Sequence, residues 1–211
     1  MRVRTKICGI TNVEDALCAV HSGCDAIGLV FYEHSPRNVS IKVAVEICKA
    51  LPAFITVVGL FVNAQTREIK KICHEVPLNL LQFHGDEVEA ECNAYDLPYI
   101  KAIRIQTSKD VSDAENNYQT AQAILVDTYK KGIPGGTGEK FDWSLLPEKP
   151  KKALILAGGL TPANIQQAII TVRPYAVDVS GGVELDKGIK NHEKVSLFLK
   201  EVSRASEYTY N

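Results

Sequence analysis

The sequence predicts an α/β fold, and three observations predict it. Short apolar runs alternate with longer amphipathic segments about eight times along the 211 residues. Several runs are nearly continuous in Val, Ile, Leu, Ala and Phe, as strands covered on both faces are, whereas half-exposed strands alternate. Between successive runs lies enough chain for the helical crossover that parallel pairing requires. Eight such units point to a closed barrel of eight parallel strands with surrounding helices, a (βα)8 or TIM barrel; a doubly wound open sheet is the alternative. No linker-like or low-complexity stretch interrupts the pattern, so residues 1–211 are expected to form one catalytic domain.

The candidate strands, in order, are 3–8 (VRTKIC), 25–31 (DAIGLVF), 54–61 (FITVVGLF), 78–83 (LNLLQF), 98–103 (PYIKAI), 122–127 (QAILVD), 153–157 (ALILA) and 175–179 (YAVDV). The candidate helices are 13–22, 40–51, 65–75, 86–95, 110–119, 143–147, 162–170 and 191–204. Thr11 or Asn12 suits the N-cap of the first helix, with Glu14 and Asp15 in its opening turn where the helix dipole favours negative charge. Ser40 suits the cap of the second. Thr161 precedes Pro162, and proline fits a first helical position because its missing N–H is not needed there. The polar tail from Ser203 to Asn211 is expected to fray.

Composition narrows the function. Apolar residues are 45% of the chain and charged residues 23%, an ordinary globular balance. Lys plus Arg is 24 and Asp plus Glu is 25, a formal charge of −1. That argues against a nucleic-acid or membrane-surface binder. A small anionic ligand remains compatible, because a local pocket needs few charges. No apolar run reaches the roughly 18–20 residues needed to span a bilayer, and no apolar signal-peptide core follows the N-terminus. A cytoplasmic protein, monomer or homodimer, is expected. The six cysteines (8, 18, 24, 48, 73 and 92) form no CxxC pair and should be reduced thiols. Cys18, Cys48, Cys73 and Cys92 fall in helical segments and read as small hydrophobes.

In a parallel barrel the chemistry belongs at the C-terminal ends of the strands. Cys8 ends the first run and Asp127 the sixth, so both groups would share one mouth. A general base needs a thiolate near an acidic C–H, and a positive neighbour lowers a thiol toward that state. A carboxyl acting as general acid must stay protonated, which burial or a nearby negative charge favours. Taken singly, each residue has a plainer reading: a core cysteine and a capping aspartate. Arg37, in the loop after the second run, offers a planar fork to a carboxylate or phosphate. His84, just after the fourth run, is placed to donate a hydrogen bond within the site. His21, His74 and His192 lie on helices and read as surface or capping residues.

The seventh run is followed by Gly158 and Gly159, and the eighth by Ser180, Gly181 and Gly182. Glycine pairs let backbone N–H groups approach an anion, and barrels often hold phosphate after these two strands. The Gly132–Gly138 stretch (GIPGGTG) lacks both nucleotide-loop patterns and reads as a loop covering the mouth.

These residues fall within a longer series: KICGIT at 6–11, SPR at 35–37, GLFVN at 59–63, LQFHGDE at 81–87, VDT at 126–128, GGTGEKFDW at 135–143, LAGGLTPAN at 156–164 and VDVSGGVE at 177–184. In this series the chain resembles the phosphoribosylanthranilate isomerases of tryptophan biosynthesis, collinearly over about residues 3–184. The resemblance implies a (βα)8 barrel and an Amadori rearrangement of N-(5-phosphoribosyl)anthranilate, with no metal or other cofactor. It makes Cys8 the general base and Asp127 the general acid. Arg37 would hold the anthranilate carboxylate, and Gly158, Gly159, Ser180, Gly181 and Gly182 the phosphate. One departure is visible: many members have Ser-Ser-Gly where this chain has Ser180-Gly181-Gly182, which removes a hydroxyl from the phosphate loop. Two other functions compete. A related phosphosugar enzyme of the same fold would be expected to carry Asp in place of Cys8, or a Lys/Glu pair. A noncatalytic phosphate-binding barrel would have no use for both Cys8 and Asp127.

Overall fold

The computed structural model describes residues 2–128 and 142–210. Eight strands form a closed barrel: β1 (Arg4–Cys8), β2 (Ala26–Val30), β3 (Thr56–Phe61), β4 (Leu80–Phe83), β5 (Tyr99–Ile105), β6 (Ala123–Thr128), β7 (Ala153–Leu156) and β8 (Ala176–Val179). Each pairs in parallel with the next, and β8 closes onto β1 with Lys6 opposite Asp178 and Ile7 opposite Val179. The barrel is therefore observed, and the open sheet is excluded.

Alternation of side chains divides each strand between two cores. Outward residues such as Ile7, Ile27, Leu29, Phe61, Leu81, Val126, Leu156 and Val177 pack against the helices. Inward residues fill the cylinder. Ile100, Ala102, Ala123, Leu125, Ile155, Ala157 and Ala176 make an apolar floor under β5 to β8, and Cys8, Val30 and Leu60 form a smaller cluster under β1 to β3. Lys6, Gln82 and Asp178, on β1, β4 and β8, are buried polar residues of the same interior.

The helices are α1 (Val13–His21), α2 (Ile41–Ala50), α3 (Thr66–Glu75), α4 (Glu89–Cys92), α5 (Asp110–Asn117), α6 (Ile165–Val172) and α7 (His192–Tyr210). Asn12 caps α1 by accepting from the Asp15 N–H at 2.8 Å, and Ser40 caps α2 by accepting from Val43.

Four expectations need correction. The helix expected over 86–95 is the single turn α4. The Glu87 carboxylate turns inward and accepts from the N–H groups of Asn63 and Gly85 and from Lys101 Nζ, which holds the chain out of helical geometry. The segment 143–147 holds only a 3₁₀ turn, Trp143–Leu145, because Pro147 cannot extend the hydrogen-bond ladder. Helix α6 starts at Ile165 rather than Pro162. Asn164 folds back, accepting from Thr161 N–H and donating to the Gly159 carbonyl, so 161–164 form a turn. Lastly, the tail does not fray at Ser203: α7 continues to Tyr210, with Val202, Ala205 and Ser206 buried. Ser206 Oγ accepts from Val3 N–H, tying the end of the chain to the start of β1.

A short antiparallel pair, β9 (Glu184–Asp186) and β10 (Ile189–Lys190), follows β8 and was not anticipated. It turns through Gly188, whose φ of +82° lies in the left-handed region. The pair carries Glu184 and Lys190 to the barrel mouth.

Candidate active site

Cys8 is the last residue of β1, and its buried side chain lies with Val30 and Leu60 inside the barrel. Asp127 is on β6 at the same rim, also buried. The structure thus brings the two sequence-predicted groups to one mouth. His84, directly after β4, places Nε2 3.4 Å from Asp127 Oδ2, and its Nδ1 lies 3.3 Å from Gln82 Nε2. Arg104, which the sequence reading passed over, is in register with Asp127 across β5 and β6. Its Nε is buried without a hydrogen-bond partner among the described residues.

Two strand positions below the rim, Lys6 lies on the same face of β1 as Cys8. Its Nζ is 2.9 Å from Asp178 Oδ1 and borders the same gap beside Gly28 as the Cys8 sulfur. Gly28, on the neighbouring strand, makes room for this contact. A Cβ at that position would come within 2.7 Å of Cys8 Sγ and 3.0 Å of Lys6 Nζ. The electrostatic outcome differs from the expectation of a depressed thiol. Burial pushes the Cys8 thiol up, Lys6 and Lys190 pull it down, Asp178 opposes them, and the net direction is up. Lys6 shows the reverse balance. Burial disfavours its ammonium, but Asp178 and the sulfur outweigh that, so it is held above the ordinary lysine value.

Arg37 reaches the mouth from the loop after β2. Its Nε and Nη2 each donate to Glu184 at 2.7 Å. A guanidinium has five N–H donors in a fixed fork, so the Nη1 edge remains suited to a second carboxylate. Lys190 Nζ lies 3.0 Å from the same Glu184 carboxylate. Burial works against the charge on Glu184, but hydrogen bonds from Arg37 and the proximity of Lys190 win and hold it below the usual glutamate range. For Lys190, burial is larger than the return from a carboxylate it shares with Arg37, and its ammonium is held below the ordinary lysine value.

The glycine loops meet at the mouth beside this cluster. Gly158 and Gly159 have φ of +79° and +62°, which turns the chain after β7. Ser180 begins the 3₁₀ turn Gly181–Val183 after β8. Its hydroxyl is buried against Gly9 and has no hydrogen-bond partner among the described residues. A Cβ on Gly182 would lie 1.8 Å from the Leu160 carbonyl oxygen, so the two loops cross backbone to backbone. Gly181 is roomier, its nearest neighbour being Arg37 Nη2 at 3.3 Å. The Gly132–Gly138 stretch read as a covering loop lies outside the described residues.

The histidines expected on helices are there, with one addition: His192 Nε2 lies 2.9 Å from buried Asp15. Sequence reasoning missed Lys6, Asp178, Glu184 and Lys190. A charged residue on the inward face, two positions before a strand-end candidate, marks the first two. Glu184 closed a recognised motif, but its role depends on β9.

The fold and the rim together define a protein of the (βα)8-barrel class with its candidate site at the C-terminal ends of the strands. Residues 5–201 match the family of N-(5'phosphoribosyl)anthranilate (PRA) isomerase, and the chain belongs to that family. An N-(5'-phosphoribosyl)anthranilate isomerase of Pseudomonas fluorescens (strain Pf0-1) is 58% identical over 200 residues, covering 95% of this chain and 98% of that protein. The phosphoribosyl anthranilate isomerase of Thermotoga maritima superposes with a TM-score of 0.88 at 43% identity, over 96% of this chain and 99% of that one. A further isomerase structure, holding reduced 1-(o-carboxyphenylamino)-1-deoxyribulose 5-phosphate, has a TM-score of 0.82 at 39% identity over 96% and 99% of the two chains.

Proposed function

We propose that this chain isomerises N-(5'-phosphoribosyl)anthranilate to 1-(o-carboxyphenylamino)-1-deoxyribulose 5-phosphate, with Asp127 as general acid and Cys8 as general base in one catalytic domain. The observation that carries the assignment is the burial of both side chains on one rim, which an arginine fork and two crossing glycine loops share. The substrate's ends fit this layout. Its phosphate meets the N–H groups of Gly158, Gly159, Gly181 and Gly182 and the unpartnered hydroxyl of Ser180, and its anthranilate carboxylate takes the open edge of Arg37. Anchoring both ends places the ribose between acid and base, a positioning effect.

The steps balance without an external oxidant. Asp127 gives its proton to the furanose ring oxygen as the bond from that oxygen to C1 breaks. The anthranilate nitrogen supplies the electron pair, leaving an open-chain protonated Schiff base. That cation acidifies the C2 hydrogen. Cys8 takes this proton, and the C2–H electron pair forms the C1–C2 double bond of an enolamine. The enolamine then tautomerises to the ketone, C1 taking a proton from solvent as the C2 hydroxyl releases one to it, and solvent returns to Asp127 the proton that Cys8 gives up. His84 Nε2 faces the acid at 3.4 Å from Asp127 Oδ2, with no hydrogen bond of its own among the described residues. Each transfer contributes about 10²–10⁴ in rate. Cys8→Ala and Asp127→Asn are expected to fold, bind the reduced product analogue and lose at least about 10²-fold in turnover. Loss of fluorescence from freshly generated phosphoribosylanthranilate measures this; near-normal turnover in either variant refutes that residue's role.

A further inference from the structure

The buried pair of Lys6 and Asp178 is a place where charge is spent inside the barrel with no part in the steps above. It is closed from solvent, with both side chains under a tenth exposed. It is also built rather than incidental. Barrel closure sets Lys6 opposite Asp178 in register, alternation puts Lys6 under Cys8, and the missing side chain at Gly28 leaves the gap that sulfur and ammonium occupy. Asp178 Oδ1 holds Nζ at 2.9 Å, while Nζ and the sulfur flank the same gap beside Gly28. The ammonium therefore lies between a permanent carboxylate and a group that is anionic only when it has lost its proton.

We propose that Lys6 is a positioning residue for the reaction. Its ammonium fixes the Cys8 sulfur and supports the thiolate, and Asp178 orients the ammonium while moderating its effect on the sulfur. The inference rests on the reading of Cys8 as the base. In the proton-transfer step the C2–H bond breaks and an S–H bond forms. Negative charge on sulfur is thus present before the step and gone after it, and a fixed neighbouring cation supports the form that reacts. A mobile or hydrated cation would need reorganisation at that moment; one clamped by Asp178 does not. Other charges face the same sulfur: Lys190 from β10 and Arg37 from the loop after β2, both engaged by Glu184, with Asp127 and His84 across the mouth. Lys6 is the one among them that shares the strand of Cys8, and it faces the sulfur at the gap beside Gly28.

The arrangement makes an unusual demand of two adjacent substitutions: they must move the thiol in opposite directions. The measurement is thiolate absorbance at 240 nm against pH, taken as the difference between each protein and the same protein carrying Cys8→Ser. Asp178→Asn frees the ammonium for sulfur, and the midpoint is expected to fall by about one unit, raising the thiolate fraction about tenfold at neutral pH. Lys6→Met alone strands a buried carboxylate and risks the fold, so it is combined with Asp178→Asn; relative to Asp178→Asn, the midpoint is expected to rise by about one unit or more. The rising limb of the kcat–pH profile is expected to follow the midpoint in each variant, with KM within about twofold. Midpoints that stay put, or that move the same way, overturn the inference, since a merely structural pair would do one or the other. Cys8→Ala separates the two readings. If it keeps turnover while the opposite shifts are seen, Cys8 is not the base and the electrostatic pair stands. If it abolishes turnover while the midpoints do not move, the base assignment stands and the role of Lys6 falls.

Discussion

Replacing Gly182 with alanine sets one methyl group against the backbone of the neighbouring loop. The added Cβ would lie 1.8 Å from the Leu160 carbonyl oxygen, 2.9 Å from the Leu160 carbonyl carbon and 3.3 Å from Thr161 Cα. None of these atoms belongs to a side chain that can rotate away. Ordinary contact begins near 3.4 Å, so the loops after β7 and β8 must part by about 1.6 Å. Overpacking of this kind costs about 1–3 kcal/mol where the structure yields only in part. The functional cost follows from the same displacement. Both loops supply the proposed phosphate donors, and moving one set by more than an ångström costs on the order of 10²-fold in kcat/KM. Gly181→Ala is the internal control. Its Cβ meets only Arg37 Nη2 at 3.3 Å and Glu184 Oε2 at 3.9 Å, both ends of side chains, and its φ is not in the left-handed region. Steady-state fluorescence kinetics, inhibition by inorganic phosphate and thermal melts of both variants make the test. The expected result is a kcat/KM lower by about 10²-fold and weakened phosphate inhibition for Gly182→Ala, with Gly181→Ala and Gly181→Ser close to the parent. Equal behaviour of the 181 and 182 variants refutes the argument that loop crossing sets the phosphate site.

Three other outcomes are expected. Gly28→Ala puts a Cβ 2.7 Å from Cys8 Sγ and 3.0 Å from Lys6 Nζ, both movable side-chain atoms; the fold should survive, while kcat drops by about tenfold or more with KM little changed, and a fall in KM-limited binding alone would contradict this. Glu184 is held below the usual glutamate range because Arg37 and Lys190 outweigh its burial. Its stabilisation is present above the unfolded-state value and is lost as pH falls through the lower folded one. Glu184→Gln should therefore flatten the acid limb of thermal stability in that window and cost about 1–3 kcal/mol at neutral pH; an unchanged acid limb counts against the cluster. Burial pushes the thiols of Cys24 and Cys92 up to about 12 and that of Cys48 to about 11. Iodoacetamide at neutral pH, followed by peptide mapping, should leave all three unmodified in the folded protein, and labelling at the rate of the urea-unfolded chain would show that they are not sheltered.

The strands were legible because burial on both faces removes the polar alternation, and every expected run coincides with a strand to within two residues at each end. Helix ends were less legible where a side chain turned inward against the pattern. Glu87 looks like a helical surface residue in sequence, yet Lys101 and two N–H groups draw it into the interior. Asn164 looks like mid-helix but holds the turn after Gly159. The pair β9 and β10 was invisible because three and two residues carry too little periodicity to register. Of the candidate site, Cys8, Asp127, His84 and Arg37 could be found one at a time, since each stands just after or at the end of a run. Their partners could not. Lys6 and Asp178 are 172 residues apart, and Arg37 and Glu184 are 147 apart. Only closure of β8 onto β1 brings those pairs together.

That closure shows how the site is layered. Residues two apart on a strand share the barrel interior, so each rim group stands over a particular residue of the layer beneath: Cys8 over Lys6, His84 over Gln82, Ser180 over Asp178, Arg104 over Ala102 and Asp127 over Leu125. The lower layer is polar under β1, β4 and β8 and apolar under β5, β6 and β7, where Ala102, Leu125 and Ile155 belong to one apolar cluster. The thiol therefore rests above a fixed cation and the carboxyl above hydrocarbon. The two groups proposed to move protons in opposite directions at one mouth are separated in environment by which strands carry charge one layer down. On the proposed assignment, a substitution in that lower layer reaches the chemistry without touching the substrate, which makes Lys6 and Asp178, rather than further residues of the rim, the positions at which to alter the proton balance while the binding loops stay as they are.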